Sequence, residues 1–247
     1  MKTSDEILQV ARSLSEKFAA RAAEHDKDGS FPYENFDDIR ASGYPLISVP
    51  TEYGGWGASL LDAVKAQEIL AQGDGSTALS ITMHVQVIGA EAASPSWRDD
   101  TLANLCREVV QRGALVNATF TEPELGSPLR GGLPKTTARH TPEGWIVNGR
   151  KTFATMSPAL DYFVTPAAVE GSSDETITLL VPRQNEIRIE ETWDAMGMRS
   201  TGSHDIVFTN ACVPDNLVIA QGPLNKPAGN KFVANGWFIL TVTAVYI

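Results

Sequence analysis

Apolar residues recur at helical spacing through the first half of the chain. Ile7, Val10, Ala11, Leu14 and Phe18 form one stripe, and Thr3 with Glu6 ahead of it makes a capping-box pattern. A second helix is predicted from Pro32 through Phe36 and Ile39, stopping at Gly43. A third is predicted over 60–71, ending near Gly73, and a fourth over 77–89 with Leu79, Ile81, Met83 and Val85. Leu102, Leu105, Cys106, Val109 and Val110 mark a fifth that ends at Gly113. The texture then changes to short apolar runs broken by Gly, Pro and Asn-Gly. Trp145-Ile146-Val147 runs into Asn148-Gly149, which reads as a hairpin. Further strands are expected at 162–164, 176–181, 187–189 and 205–208, with a polar turn at 171–174. This spacing suggests a small antiparallel barrel or sandwich. A linker with two prolines and two glycines follows over 221–229, and the apolar segment 232–247 reads as the first helix of a buried bundle. That segment shows no stop signal, so a C-terminal helical domain continuing past Ile247 is expected. The fold class is therefore α+β and multidomain. It comprises an N-terminal helical domain (1–113), a middle β domain (114–222), and a linker with the start of a third, helical domain (223–247).

At 247 residues, 43% hydrophobic and 20% charged, the composition is that of a globular protein. No apolar run reaches membrane-spanning length, and the polar, acidic N-terminus does not read as a signal peptide. Cys106 and Cys212 lie far apart, which suits a reduced, cytoplasmic setting and offers no metal or disulfide framework. The formal net charge of −10 argues against nucleic acid or an anionic membrane as partner. Local backbone donors still leave room for a small anionic ligand.

One segment gathers such donors. From the strand at Leu115-Val116 the chain passes through Ala118, Thr119, Phe120, Thr121, Glu122, Pro123, Glu124, Leu125, Gly126 and Ser127. Freed backbone N–H groups and the hydroxyls of Thr121 and Ser127 suit a flat heterocycle with carbonyl edges, or a diphosphate. Taken alone, the same residues describe any strand followed by a tight turn. Arg199 reads either as a phosphate contact or as part of an internal ion pair supporting the β domain. His84 reads either as a site residue or as a satisfied helix residue.

Three motifs in order resemble the flavin-dependent acyl-CoA dehydrogenases. The first is Thr121-Glu122-Pro123-Glu124-Leu125-Gly126-Ser127. The second is the stretch from Trp145 through Asn148-Gly149-Arg150-Lys151-Thr152 to Phe153-Ala154-Thr155. The third is Met196-Gly197-Met198-Arg199-Ser200-Thr201-Gly202-Ser203, with Val213-Pro214 leaving the last strand. The resemblance covers the whole chain and implies FAD as cofactor and an acyl-CoA or related thioester as substrate. It places the backbone of Ala118, Thr119, Phe120 and Thr121 along the flavin pyrimidine edge, and Ser127 between pyrophosphate and thioester. It puts Phe153 on the isoalloxazine, Ala154 beside it, and the Thr155 hydroxyl on flavin N5, where a fixed donor stabilises developing charge. Met83 and His84 would lie on the acyl side. The reaction implied is α,β-dehydrogenation: a carboxylate takes the α-proton while hydride passes to flavin N5. The family takes that base from its C-terminal domain. No Asp or Glu lies between 226 and 247, so the base is expected beyond Ile247. Pro128, where many members carry Asp, departs from the pattern. An electron-transferring flavoprotein and a homotetramer are further implications. Two other readings remain: a flavin-dependent monooxygenase of the same fold, in which His204 is functional, and a redox-silent binding module.

Overall fold

The computed structural model describes residues 2–98, 100–123, 133–223 and 231–247. Five helices come first: α1 (Ser4–Asp28), α2 (Tyr33–Ser42), α3 (Leu60–Gly73), α4 (Gly75–Ala93) and α5 (Thr101–Arg112). Among the described residues eight strands follow: β1 (Val116–Ala118), β2 (Thr137–Thr141), β3 (Gly144–Ala154), β4 (Tyr162–Val169), β5 (Glu175–Pro182), β6 (Ile187–Glu190), β7 (His204–Val213) and β8 (Val218–Pro223). Helix α6 (Lys231–Tyr246) comes last and packs against α3 and α4.

The helices form where caps and apolar spacing agree. Thr3 and Glu6 make the expected capping box, and Ile7, Ala11, Leu14 and Phe18 bury one face of α1. Gly43 closes α2 at φ 74°, a left-handed cap that glycine adopts without a Cβ penalty. Helix α4 starts two residues before the expected Thr77, because the Asp74 carboxylate accepts from Ser76 N and Thr77 N at 3.0 and 3.2 Å. It also runs on past Gly89. A Cβ there would lie 2.4 Å from the Trp237 ring of α6, so this glycine seats an indole between two helices and does not end one.

The strands form one eight-stranded sheet, ordered β6-β7-β3-β2-β4-β5-β8, with β1 paired to β4. The sheet is mixed where an antiparallel one was expected, since β1 and β2 both run parallel to β4. They share one edge of that strand in sequence. β1 pairs with Tyr162, Phe163 and Val164, and β2 with Ala168 and Val169.

The Asn148-Gly149 hairpin is not formed. β3 runs straight through it and stays paired with β7, with a register shift between Val147 and Gly149. The Asn148 side chain instead crosses to Asn210: its Oδ1 accepts from Asn210 N at 2.8 Å and its Nδ2 donates to Asn210 Oδ1 at 3.1 Å. Gly149 is required because a Cβ would meet Thr136 Cα at 2.6 Å. The hairpin lies one turn earlier, joining β2 to β3 with Thr141 opposite Gly144. β8 also replaces the first part of the expected linker, since Gln221 and Gly222 pair with Ile177 and Thr176.

Candidate active site

The split between β1 and β2 would leave β4 with an unpaired carbonyl, and a buried ion pair fills it. Lys151 is 0% exposed, and its Nζ donates to Pro166 O of β4 at 2.8 Å and to Glu122 Oε1 at 2.6 Å. Glu122, also buried, accepts from Lys135 N at 2.6 Å and Thr136 N at 3.1 Å. Burial pushes the Glu122 carboxyl up, but Lys151 and the two backbone donors outweigh it and hold the group below the usual carboxylate range. Thr152 N donates to Thr121 O at 2.9 Å, so the turn is fixed along β3 by main chain as well.

Alternation then sends neighbouring side chains to opposite sides. Thr119 turns inward: its N–H donates to Val164 O at 2.9 Å, and its hydroxyl meets Thr165 Oγ1 at 2.9 Å. Both of these groups are engaged within the sheet. Ala118 and Phe120 face a chamber of about 390 Å³ between the C-terminal half of α4 and the sheet, with Val87, Ala90, Trp97 and Ile219 among its walls. Thr121 faces a second cleft of about 350 Å³, with Thr152, Phe153, Thr192, Trp193 and Ser203. Both volumes sit near the lower end of the roughly 300–1,000 Å³ common for ligand sites. The segment 118–121 thus contributes Ala118 and Phe120 to one cavity and Thr121 to the other.

β3 ends in a bulge that shifts register between Lys151 and Ala154. Phe153 takes φ 55° there, and the residue is 63% exposed. A large side chain in left-handed backbone is disfavoured by about 1–2 kcal/mol, and an exposed phenyl ring returns little of that. Trp193 meets the ring edge to face at 6.2 Å. Trp193 is itself fixed, its Nε1 donating to Met198 O at 3.0 Å and its N–H to His204 Nδ1 at 3.1 Å. His204 is therefore a support of this loop, and burial lowers its pKa. Thr155 is half-buried, and its hydroxyl meets Ser203 Oγ at 2.9 Å. Asn117 Nδ2 holds the Thr155 carbonyl at 2.9 Å. Ala154 is buried in the core and lies outside the walls of the cleft.

The expectation for His84 is corrected. It is fully buried on α4, with Nε2 bonded to Pro45 O at 2.9 Å and Nδ1 accepting from Val116 N at 3.2 Å. The Val116 donor makes Nδ1 an acceptor, so Nε2 carries the proton and the ring is neutral. Burial lowers its pKa to about 4. His84 ties the helical domain to β1 and reaches neither cavity. Met83 is half-buried and lies outside the walls of both. Arg199 makes main-chain contacts, donating to Asp26 O at 2.7 Å and Ala195 O at 3.0 Å, and joins the end of α1 to the β domain. Gly126, Ser127 and Pro128 lie outside the described residues. Among the described residues, no His, Cys, Asp or Glu cluster fits a metal ion, and no helix is long and apolar enough to cross a membrane.

The cleft suits a flat heterocycle. An exposed ring held in unfavourable backbone supplies one apolar face, and the side chains of Thr121, Thr192 and Ser203 in the same walls supply polar groups beside it; the buried Thr152 hydroxyl has no hydrogen-bond partner among the described residues. Two residues important to this geometry, Trp193 and Ser203, were not assigned roles from the sequence. Glu122 and Lys151 stood inside the recognised motifs, but nothing in their spacing paired them.

Comparison with known proteins agrees with this architecture. The acyl-CoA dehydrogenase N-terminal domain matches residues 2–108, and the acyl-CoA dehydrogenase middle domain matches residues 117–211. YdbM of Bacillus subtilis, named as a candidate acyl-CoA dehydrogenase, is 42% identical over 95% of this chain and 60% of its own length. An L-evernosamine nitrososynthase of Micromonospora is 28% identical over 98% of the chain and 57% of its own. A crystal structure of KijD3 with FMN and a dTDP-linked amino-keto sugar superposes with a TM-score of 0.83 at 28% identity, covering 98% of this chain and 60% of that one. The chain thus spans about three-fifths of the length of these relatives. On its two matched domains and on its fold, the chain belongs to the acyl-CoA dehydrogenase family.

Proposed function

We propose that this chain holds the flavin of an enzyme that dehydrogenates an acyl thioester across its α,β bond, with FAD as the cofactor and acyl-CoA as the substrate class. The observation that carries the reading is Phe153, exposed on left-handed backbone in a cleft whose walls it shares with Thr121, Trp193 and Ser203. Bound flavin supplies the two-electron acceptor. In this reading Phe153 stacks on the ring system, Thr121 meets its pyrimidine edge, and Thr155 faces N5. Ser127 and the residues around it would serve the pyrophosphate and thioester. The acyl chain fits the apolar chamber behind Phe120.

The α-proton needs a base, and the carboxylates at hand are engaged. Glu91, in the chamber wall, accepts from Ser96 N, Trp97 N and Ser96 Oγ at 2.6, 2.8 and 2.8 Å. Glu122 is held by Lys151. Asp205, in the cleft wall, accepts from Arg150 and Thr192 at 2.7 and 3.0 Å, so the proposed base lies outside the described residues. Electron-transferring flavoprotein is the proposed oxidant of the reduced enzyme, and a homotetramer in the cytoplasm is the proposed working form.

The nitrososynthase likeness and the FMN-bound KijD3 fold support a second reading, a flavin-dependent monooxygenase. Anaerobic titration of the purified whole protein separates the two. Bleaching of bound flavin by an acyl-CoA supports dehydrogenation. Absence of bleaching, with oxygen uptake when reduced flavin is supplied, supports the monooxygenase. A protein that takes up neither FAD nor FMN overturns both.

Phe153→Gly separates fold from site. Glycine accepts φ 55° freely, so the melting temperature is expected to hold or to rise by an amount equivalent to about 1 kcal/mol. Flavin affinity is expected to fall roughly tenfold through loss of the ring contact, as read by fluorescence titration. Unchanged affinity would remove Phe153 from the site.

A further inference from the structure

Behind Thr155 the structure holds a chain of hydroxyls that the proposed reaction leaves without a role. Thr155 Oγ1 meets Ser203 Oγ at 2.9 Å, Ser203 Oγ meets Thr201 Oγ1 at 2.8 Å, and Thr201 Oγ1 donates to Met198 O at 3.1 Å. Thr201 is 1% exposed and Ser203 6%. The backbone around them is fixed. Asn117 holds the Thr155 carbonyl, Met156 N and Ser80 Oγ hold the Thr201 carbonyl, and Ser157 holds that of Gly202. Met198 and Gly202, both left-handed at φ 54° and 56°, bracket the short turn that sets Thr201 and Ser203 side by side.

Each hydroxyl has one proton, so the chain has two self-consistent directions. Pointing inward, Thr155 donates to Ser203, Ser203 to Thr201, and Thr201 to Met198 O, which leaves the Thr155 oxygen as an acceptor for a bound group. Pointing outward, Thr201 donates to Ser203 and Ser203 to Thr155, and the Thr155 proton is left for a bound group. The outward direction strands no carbonyl, because Met198 O keeps Trp193 Nε1 at 3.0 Å and Thr201 N at 3.3 Å. Reversal rotates three O–H bonds and breaks no covalent bond.

We propose that Ser203 and Thr201 are positioning residues that let Thr155 switch between donor and acceptor with the redox state of the bound flavin. This rests on the reading that Thr155 faces N5. Oxidised N5 offers a lone pair and needs a donor, whereas reduced N5 carries hydrogen and needs an acceptor. A lone threonine meets the second need only if its own proton finds another oxygen, and here Ser203 is that oxygen.

The test is the two-electron midpoint potential of the flavin-loaded whole protein, measured anaerobically against reference dyes. Ser203→Ala keeps the donor to oxidised flavin and removes the acceptor needed in the reduced state. The reduced form should lose about tenfold in relative stability, which for a two-electron couple is about 30 mV toward negative potential. Thr201→Val, close to isosteric, should move the potential the same way, and Ser203→Thr should restore it. Affinity for oxidised flavin and the melting temperature show whether each variant is folded. Unchanged potentials in loaded, folded variants overturn the hydroxyl chain and leave the flavin reading standing. An unsubstituted protein that binds no flavin overturns the flavin reading itself.

Discussion

Glu122→Ala is expected to lower stability by about 3–5 kcal/mol, among the largest effects of any single replacement in the β domain. The reason is the split edge of β4. The replacement leaves the Lys151 ammonium, 0% exposed, with Pro166 O as its remaining acceptor. The N–H groups of Lys135 and Thr136 lose the carboxylate at the same time. At this chain length the loss corresponds to a fall of roughly 6–20 °C in melting temperature. Lys151→Met is expected to be severe for the converse reason, because a buried carboxylate then loses its cation. The double variant should lose less than the sum of the two, and a thermal double-mutant cycle measures that coupling. Because the Glu122 pKa is held below its ordinary value, the carboxylate's contribution is complete above the unfolded carboxylate range, whereas burial lowers the Lys151 pKa and sets an upper limit to the window in which both are charged. The carboxylate's contribution declines as pH falls toward the folded value. Strictly additive losses would show that the two side chains do not act as a pair.

The same pair explains why the site is only partly legible in the sequence. Amphipathic stripes and caps locate all five N-terminal helices, since those signals are local: Thr3 with Glu6 and Gly43 act on their own turns. The strong strands at 162–164 and 176–181 show themselves by long buried apolar runs. β2 does not, because Ala138 is its one buried residue. β8 is short and closes in Gly-Pro, which reads as linker. Asn148-Gly149 misleads because its meaning is tertiary, with the asparagine bridging to Asn210 and the glycine passing close to Thr136. At the site, the division between Phe120 and Thr121 lies past the end of β1 and is not legible in the sequence. The Glu122–Lys151 pair and the Thr155–Ser203 contact join residues 29 and 48 positions apart. Each exists only because β3 is held between the turn on one side and β7 on the other.

His84 is where a local motif and burial disagree most, and it yields a pH prediction. Its neutral ring donates to Pro45 O and accepts from Val116 N, and a protonated ring cannot accept. Burial holds the folded pKa at about 4, against an ordinary value of 6.5. Asp161 pulls this value up and Arg40 pushes it down, and both effects are smaller than that of burial. The unfolded chain therefore binds the proton first as pH falls. The contribution of His84 is complete above pH 6.5 and declines by about 1.4 kcal/mol per pH unit toward pH 4. The total loss is about 3 kcal/mol. His84→Gln offers an acceptor and a donor without titrating in this range, so it isolates the effect from every other ionisable group. Urea unfolding of both proteins between pH 7 and pH 4 should show the unsubstituted protein losing about 3 kcal/mol relative to the variant. Parallel pH profiles would mean that the ring accepts a proton where it stands. The tie between the helical domain and β1 would then have to be made by another group.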